Sequence, residues 1–358
     1  CGDKITFLTA MSKTSSAKAD ASSGASDPLR MFASGLLRGS VALVSGGGSG
    51  IGRETARWLA SLGAHVAICS RRVDMCRSEA ARIRRELAGS AVDCSERTDD
   101  GQGRGRYVHP EGATAGNVCA FECNIRDQES VERCVHAVLE RYGRIDLLVN
   151  NAGGQFPCPA ADISRKGWHA VIDTNLTGTF LLSQCVYRLA FARQRSGAIV
   201  NVVANMWNGF PIMSHTGAAR AGVVNLTKSL AVEWAADGVR VNAVAPGLIQ
   251  SSGLDTYPEA FQQTVREASR HNYAQRMGTE AEIAAAIVFL LSPASMFTTG
   301  ETLRVDGAES IYSPLWPPRS HGVCCFVCLL TVVCVCVCVR FVCVCVCVCV
   351  WLCVCVCV

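Results

Sequence analysis

Charge of one sign is nowhere concentrated in this 358-residue chain. Lys and Arg total 34 against 30 Asp and Glu, a formal balance of +4 at pH 7. No basic block interrupts the sequence, which excludes the dense cationic face that grips a nucleic-acid backbone and leaves small molecules as the expected ligands. Paired cysteines are scarce too, once the cysteines are located. Of 22, 13 lie between Cys324 and Cys357. The other nine (Cys1, Cys69, Cys76, Cys94, Cys119, Cys123, Cys134, Cys158, Cys185) form no Cys-x-x-Cys pair and no ligand-like spacing with histidine. No metal site is expected from that spacing. Cys69, Cys119 and Cys123 fall in strand-like runs, where a reduced thiol acts as a small apolar side chain, and a reducing compartment fits this usage.

The two ends lack the composition of a packed domain. The chain begins at Cys1, with Met11 and Met31 as alternative starts, and residues 12–28 are rich in Ser, Ala and Lys. Residues 1–35 are therefore expected to be a disordered leader or a fragment end. From Gly322 onward the sequence is apolar apart from Arg340 and one Thr, long enough to span a bilayer as a helix. Its Val-Cys alternation is also what translation of a TG repeat yields, since TGT reads Cys and GTG reads Val. Residues 313–358 are accordingly expected to be an artefactual low-complexity tail, with a membrane anchor as the alternative if the tail is real.

Between the ends, residues 36–312 alternate apolar runs with helix-period segments. Strands are expected at Val41–Ser45, His65–Cys69, Asn117–Cys123, Asp146–Asn150, Ala198–Ala204, Val239–Ala245 and Glu301–Asp306. Runs that are apolar throughout belong in a parallel sheet covered by helices on both faces, so the expected fold is a single α/β domain with a doubly wound, seven-stranded parallel sheet. The polar stretch from Gly89 to Gly116 reads as a surface insertion. Trp168, Ile172, Leu176 and Phe180 recur at four-residue steps and read as the core face of a helix.

The sharpest local signal is the strand Val41–Ser45 running into Gly46-Gly-Gly-Ser-Gly50-Ile-Gly52 and then a helix. A strand, a glycine turn and a helix N-terminus together present backbone N–H groups and a positive dipole end to a pyrophosphate. Other signals follow in order: Asn150-Asn-Ala-Gly153, Asn175 within Asp173-Thr-Asn-Leu-Thr-Gly178, Ala245-Pro-Gly247, and Thr299-Gly300 leading into Val305-Asp-Gly307. With the spacing of Gly46, Gly50 and Gly52, this series resembles the short-chain dehydrogenase/reductase family over roughly Leu36 to Gly307. The resemblance implies a Rossmann-type fold and a nicotinamide dinucleotide held by Gly46, Ser49, Gly50, Ile51 and Gly52. It places Asn124 and Ile125 at the adenine, Asn151, Ala152 and Gly153 along the cofactor, and Pro246, Gly247 and Ile249 at the nicotinamide carboxamide.

After the second strand the chain reads Cys69-Ser70-Arg71-Arg72, with no Asp or Glu to accept the adenosine ribose hydroxyls. Arg71, with Ser70, can instead pair a 2′-phosphate, so NADPH is the expected cofactor.

The family's usual Ser, Tyr and Lys are missing. Matching the helix that contains Asn225-Leu-Thr-Lys-Ser-Leu230 puts Thr216 at the tyrosine position and Arg220 at the lysine position, with Val203 or Ala204 in place of serine. Thr216 is a far weaker acid than a phenol, and Arg stays protonated, so alcohol or ketone chemistry is disfavoured. Enoyl reduction asks less: hydride adds at Cβ, the enolate oxygen is stabilised and Cα takes a proton. The wording around the gap, in Asn151–Phe156, Lys166–Ala170 and His215–Gly222, resembles the peroxisomal trans-2-enoyl-CoA reductases. The candidate catalytic residues are thus Asn175, Thr216 and Arg220, the last also on the nicotinamide ribose. His215 reads as a loop histidine, and Tyr187 as too far along its helix. 2,4-Dienoyl-CoA reduction and a non-catalytic dinucleotide-binding module are the alternatives. The resemblance further implies an acyl-CoA thioester substrate, a homotetramer, and a peroxisomal location with a cytoplasmic alternative; Val356-Cys357-Val358 is not a Ser-Lys-Leu type of signal.

Overall fold

Seven apolar runs become seven parallel strands because each carries side chains that can be buried on both faces. The computed structural model describes residues 28–87, 116–269, 272–311, 328–339 and 342–353. Strands β1 (Val41–Ser45), β2 (His65–Ser70), β3 (Val118–Glu122), β4 (Leu147–Asn150), β5 (Gly197–Val202), β6 (Val239–Pro246) and β7 (Thr302–Val305) form one sheet. Their order is 3-2-1-4-5-6-7 and every pairing is parallel. The sequence reversal between β1 and β4 opens a crevice at the carboxyl edge, where doubly wound sheets bind ligands. All seven expected strands are present, with ends shifted by at most two residues, and the fold class is as expected.

Side chains alternate between two core layers, the period-2 signature of a strand. Ala42, Val44, Val66, Ile68, Val149 and Val200 meet helices α1 (Gly50–Ser61), α2 (Val73–Leu87) and α7 (Glu280–Leu291) through Trp58, Leu59, Ile83, Ile283 and Ile287. Leu43, Ala67, Leu148, Ile199 and Val241 meet α3 (Gln128–Tyr142), α4 (165–194) and α5 (Ser214–Glu233) through Val135, Leu182, Phe191 and Leu230. Packing begins before residue 36, since Leu29 and Phe32 rest on the first layer and the Phe32 ring lies edge-on to Trp58 at 6.1 Å. A short helix, α6 (Glu259–Ser269), crosses the carboxyl edge between β6 and α7.

Helix α4 runs over 165–194 and is interrupted by two π turns, Asp173–Thr177 and Tyr187–Phe191. Each π turn adds a residue to the turn and rotates the helix face that follows. The four-residue stripe is not one core face: Trp168 is 39% and Phe180 36% exposed, Ile172 and Leu176 are half-buried with Leu176 packed on Val223 and Ala243, while Val171, Asn175, Leu182 and Val186 are buried. The stripe read from the sequence is exposed at its two ends and half-buried in its middle.

The insertion expected over Gly89–Gly116 lies outside the described residues except for Gly116, whose N–H donates to Ala60 O at 2.8 Å. Residues 1–27 of the expected leader are likewise outside them. In the tail, Cys328–Val339 and Val342–Cys353 pair with each other as antiparallel strands. Among the described residues no helix is long and apolar enough to cross a membrane.

Candidate active site

The carboxyl ends of β1, β2, β4, β5 and β6 open into one cavity of about 1150 Å³. At one end the glycine turn leaves β1. Gly46 and Gly50 take φ of +68° and +56°, the left-handed region that a Cβ disfavours. Gly52 is constrained by space, because a Cβ there would overlap Asn151 Nδ2 and Gly46 O. Ser49 caps α1 with extended backbone and makes no side-chain capping bond, and the first turn of α1 has no acidic residue. The N–H groups of that turn have no helical carbonyl to meet, and Glu54, the acidic residue of α1, is turned onto Arg57 and Trp58.

Asn151 locks the turn in place. Its Nδ2 donates to Ser45 O and Gly46 O, both at 3.2 Å, while Asn151 and Ala152 N–H groups donate to Ser45 Oγ at 3.1 Å. A second latch comes from the loop after β6: Gly50 N–H donates to Ser252 Oγ at 3.1 Å. Ser252 N–H in turn donates to Glu280 Oε1 at 3.2 Å, and Glu280 Oε2 pairs with Arg53 at 2.8 Å. No local pattern announces this latch, since its residues come from three separate segments: α1, the loop after β6 and the start of α7.

Beside the turn, Arg71 and Arg72 are exposed and border the cavity with Arg126. Ser70 Oγ folds onto the Arg72 backbone, accepting from its N–H at 3.1 Å and donating to its carbonyl at 3.0 Å. Asn124 Oδ1 accepts from Arg126 at 3.4 Å, and Ile125 packs under Gly178. Three cations without a carboxylate among the lining residues at this end make it an anion-binding wall.

At the far end, Arg220 from α5 reaches under Gly153. Its Nη1 donates to Val202 O at 2.8 Å and its buried Nε has no protein partner. Burial draws its pKa down to about 10, so it still carries its charge at neutral pH. Asn175 is fully buried in the first π turn. It grips Gly154 from both sides, accepting from its N–H at 2.9 Å and donating to its carbonyl at 2.8 Å, and so fixes the backbone that follows β4.

The cavity therefore gathers the expected residues Gly46, Ser49, Gly50, Ile51, Ser70, Arg71, Asn124, Ile125, Asn151, Ala152, Gly153, Arg220, Pro246, Gly247 and Ile249 on its walls. Gly52 stands just behind the turn. Asn175 and Thr216 have no exposure and are not among the wall residues. The Thr216 hydroxyl lies 3.4 Å from His215 Nδ1, with its N–H directed to the same nitrogen at 2.8 Å. His215 is not a loop residue: it sits in the first turn of α5, fully buried, with the Phe156 ring edge-on at 4.6 Å. Tyr187 is held elsewhere, stacked on Trp234 at 4.1 Å and donating to Asp237 at 2.5 Å.

Sequence reasoning missed several wall residues. Phe210, Met213, Leu254, Tyr257, Phe261 and Val265 give the far end an apolar flank, and Asn205 and Glu309 add polar groups. Burial raises the Glu309 pKa, and the charge of Asp306 adds to the rise against the opposing bond from Asn205. Only its place four residues past the last strand hinted at Glu309.

A family model described as "Enoyl-(Acyl carrier protein) reductase" matches residues 98–308, and one described as "short chain dehydrogenase" matches residues 40–103. The peroxisomal 2,4-dienoyl-CoA reductase [(3E)-enoyl-CoA-producing] of Pongo abelii is 34% identical over 288 residues, covering 79% of this chain and 88% of that one. The 3-oxoacyl-[acyl-carrier-protein] reductase FabG of Thermotoga maritima is 34% identical over 273 residues, covering 76% and 98%. Among solved structures, the citronellol catabolism dehydrogenase AtuB of Pseudomonas aeruginosa is 42% identical with a TM-score of 0.63, covering 78% of this chain and 98% of that one.

The chain belongs to the short-chain dehydrogenase/reductase family, and it is an oxidoreductase that uses a nicotinamide dinucleotide. The residues fit that cofactor on observations of this molecule. A Cβ at Gly52 would break the turn, the N-cap of α1 is open, and the buried Arg220 keeps an unpartnered N–H beside the cavity.

Proposed function

We propose that the chain reduces, with NADPH, a carbon–carbon double bond conjugated to an acyl-CoA thioester. The observation that carries this reading is the far end of the cavity, where the described wall combines a buried arginine with apolar side chains and holds no tyrosine from α5; the sequence match puts Thr216, buried behind that wall, at the position of the family's phenol. Reducing a ketone places a proton on oxygen, which a phenol provides. Reducing a conjugated double bond places it on Cα and needs only donors for the enolate oxygen.

When bound, the dihydronicotinamide supplies the hydride. Gly46, Ser49, Gly50, Ile51 and Gly52 would hold the pyrophosphate, Arg71 with Ser70 the 2′-phosphate, and Asn124 and Ile125 the adenine. Asn151, Ala152 and Gly153 would line the cofactor's length, with Pro246, Gly247 and Ile249 at the carboxamide. Arg220 would hold the nicotinamide ribose, and Asn175 would keep Gly154 in place beneath it. Thr216 is the proposed donor to the enolate oxygen.

Trans-2-enoyl-CoA reduction follows from the residues around the missing tyrosine. Reduction of 2,4-dienoyl-CoA is the second reading, favoured by the dienoyl-CoA reductase named among the relatives. Both place the proton on Cα, because a (3E)-enoyl product of a 2,4-diene has gained hydrogen at its second and fifth carbons. Assays with NADPH and trans-2-enoyl-, 2,4-dienoyl- and 3-oxoacyl-CoA test the proposal. Turnover of either unsaturated thioester supports it, and turnover of the 3-oxo compound alone overturns it. We further propose a homotetramer that covers the Trp168–Phe180 stripe, tested by light scattering of Phe180→Glu, and a peroxisomal location, tested by imaging the tagged full chain.

A further inference from the structure

Three strands converge where the reaction would take place, and the segments that follow β5 and β7 meet over the end of β6. Asn205, three residues past β5, donates its N–H to Pro246 O at 3.0 Å. On the other side Gly247 donates to Val305 O at 3.0 Å and lies so close to the Asp306 backbone that a Cβ would sit 2.8 Å from its Cα. The turn after β7 is then wound back on itself. Gly307 and Ala308 take φ of +61° and +68°, and the Asp306 carboxylate accepts the N–H groups of Ala308 and Ser310, each at 3.0 Å. A left-handed alanine is a strained conformation that the surrounding bonds must hold in place. The result of that winding is to turn Glu309 toward the cavity.

Among the described wall residues Glu309 is the one carboxylate. The Asn205 side chain faces it and offsets part of the rise in its pKa, and its Oε2 is buried and has no protein partner. A buried carboxyl oxygen left unpaired beside a substrate cavity is costly as a carboxylate and tolerable as an acid. Its surroundings favour the acid further. Asp306 lies on its own turn, Pro246 and Gly247 on β6 are uncharged, and Asn205 after β5 is neutral. Of the cations, Arg220 on α5 is turned toward Val202 and Gly153, Arg304 on β7 is spent on Ser310 and the Trp207 ring, and Arg71, Arg72 and Arg126 border the cavity beside the glycine turn.

We propose that Glu309 is the proton donor to the substrate's Cα. The inference rests on the reading of the chain as a reductase of conjugated double bonds. As hydride arrives at the far end of the conjugated system, the C=C electron pair moves toward the carbonyl. The Glu309 O–H bond then breaks, a C–H bond forms at Cα, and the thioester carbonyl is restored. The substrate gains one hydride, which the reduced dinucleotide would supply, and one proton from Glu309, two hydrogens in all, and the Glu309 carboxylate is reprotonated by water through the cavity mouth. Asn205 holds the carboxyl in place as a positioning residue.

The test is Glu309→Gln in the full chain, which keeps the shape of the side chain but has no acidic proton. Expected are a fall in kcat of about a hundredfold or more, as for a lost general acid, a KM within about threefold of the parent, and unchanged NADPH affinity by fluorescence titration. Glu309→Asp should recover part of the rate. Independently of turnover, infrared difference spectra at neutral pH should show a protonated carboxyl band that vanishes in Glu309→Gln. A parental kcat in an active Glu309→Gln enzyme, or the absence of that band, overturns the donor role alone. A parent protein that reduces no unsaturated thioester overturns the reductase reading, and the donor role with it.

Discussion

The glycine-turn end and the far end of the cavity are built by different means. At the first, shape comes from backbone: two left-handed glycines, a third with no room for a Cβ, and an asparagine that ties β4 to β1. At the second, shape comes from side chains sent in by α5, the loop after β6, α6 and the turn after β7. Backbone constraints leave a mark on a short stretch of sequence, because only glycine satisfies them. A wall assembled from four distant segments leaves none, and its residues can change while the fold persists.

If that contrast holds, damage at the glycine end should abolish binding, and damage at the far end should divide between rate and affinity. The largest effect is expected for Gly52→Ala, whose methyl would overlap Asn151 and Gly46. Dinucleotide affinity, read by fluorescence titration, should fall by about a hundredfold or more, the size of an overpacking penalty. Affinity within a few-fold of the parent would mean that the turn yields, and the contrast would fail.

Next in size is Thr216→Val, which should lower kcat on an unsaturated thioester by about ten- to a thousandfold, as for a lost oxyanion donor, with little change in cofactor affinity. A parental kcat would leave the role to His215 or an ordered water. Arg220→Ala should act the other way, weakening NADPH by about tenfold or more through loss of charge-assisted bonds. Because the guanidinium is buried and bonded to Val202 O, its removal should also lower Tm, which Arg220→Lys would partly restore.

Smaller and more selective is Arg71→Ala. It should weaken NADPH by about tenfold and leave NADH nearly unaffected. Equal losses for both would show that Arg71 does not read the 2′-phosphate. The smallest effect is expected from ending the chain at Pro318: cofactor affinity and solubility should be retained, and loss of folding would make the Val-Cys segment part of the domain.

Apolar runs of strand length separated by helix-period segments admit few arrangements other than this sheet, so it was legible from residues alone. The dinucleotide end was legible too, because φ above zero and close backbone approach require glycine at Gly46, Gly50 and Gly52. Periodicity misjudged α4, since the π turn at Asp173–Thr177 shifts the register within the stripe and a four-residue spacing cannot report the rotation. It also left His215 in a loop, because no cap signal marks the start of α5 at Ser214. Only the tertiary structure decided what meets what. It brought Cys69, Cys123 and Cys134 into one buried group with sulfurs within 4.8 Å of one another, and linked Ser252, Glu280 and Arg53 to the glycine turn. It also set Glu309 opposite Asn205 across the end of β6. Those encounters depend on strand order and on where each loop crosses the carboxyl edge, quantities fixed by packing over the whole sheet and absent from any local window of residues.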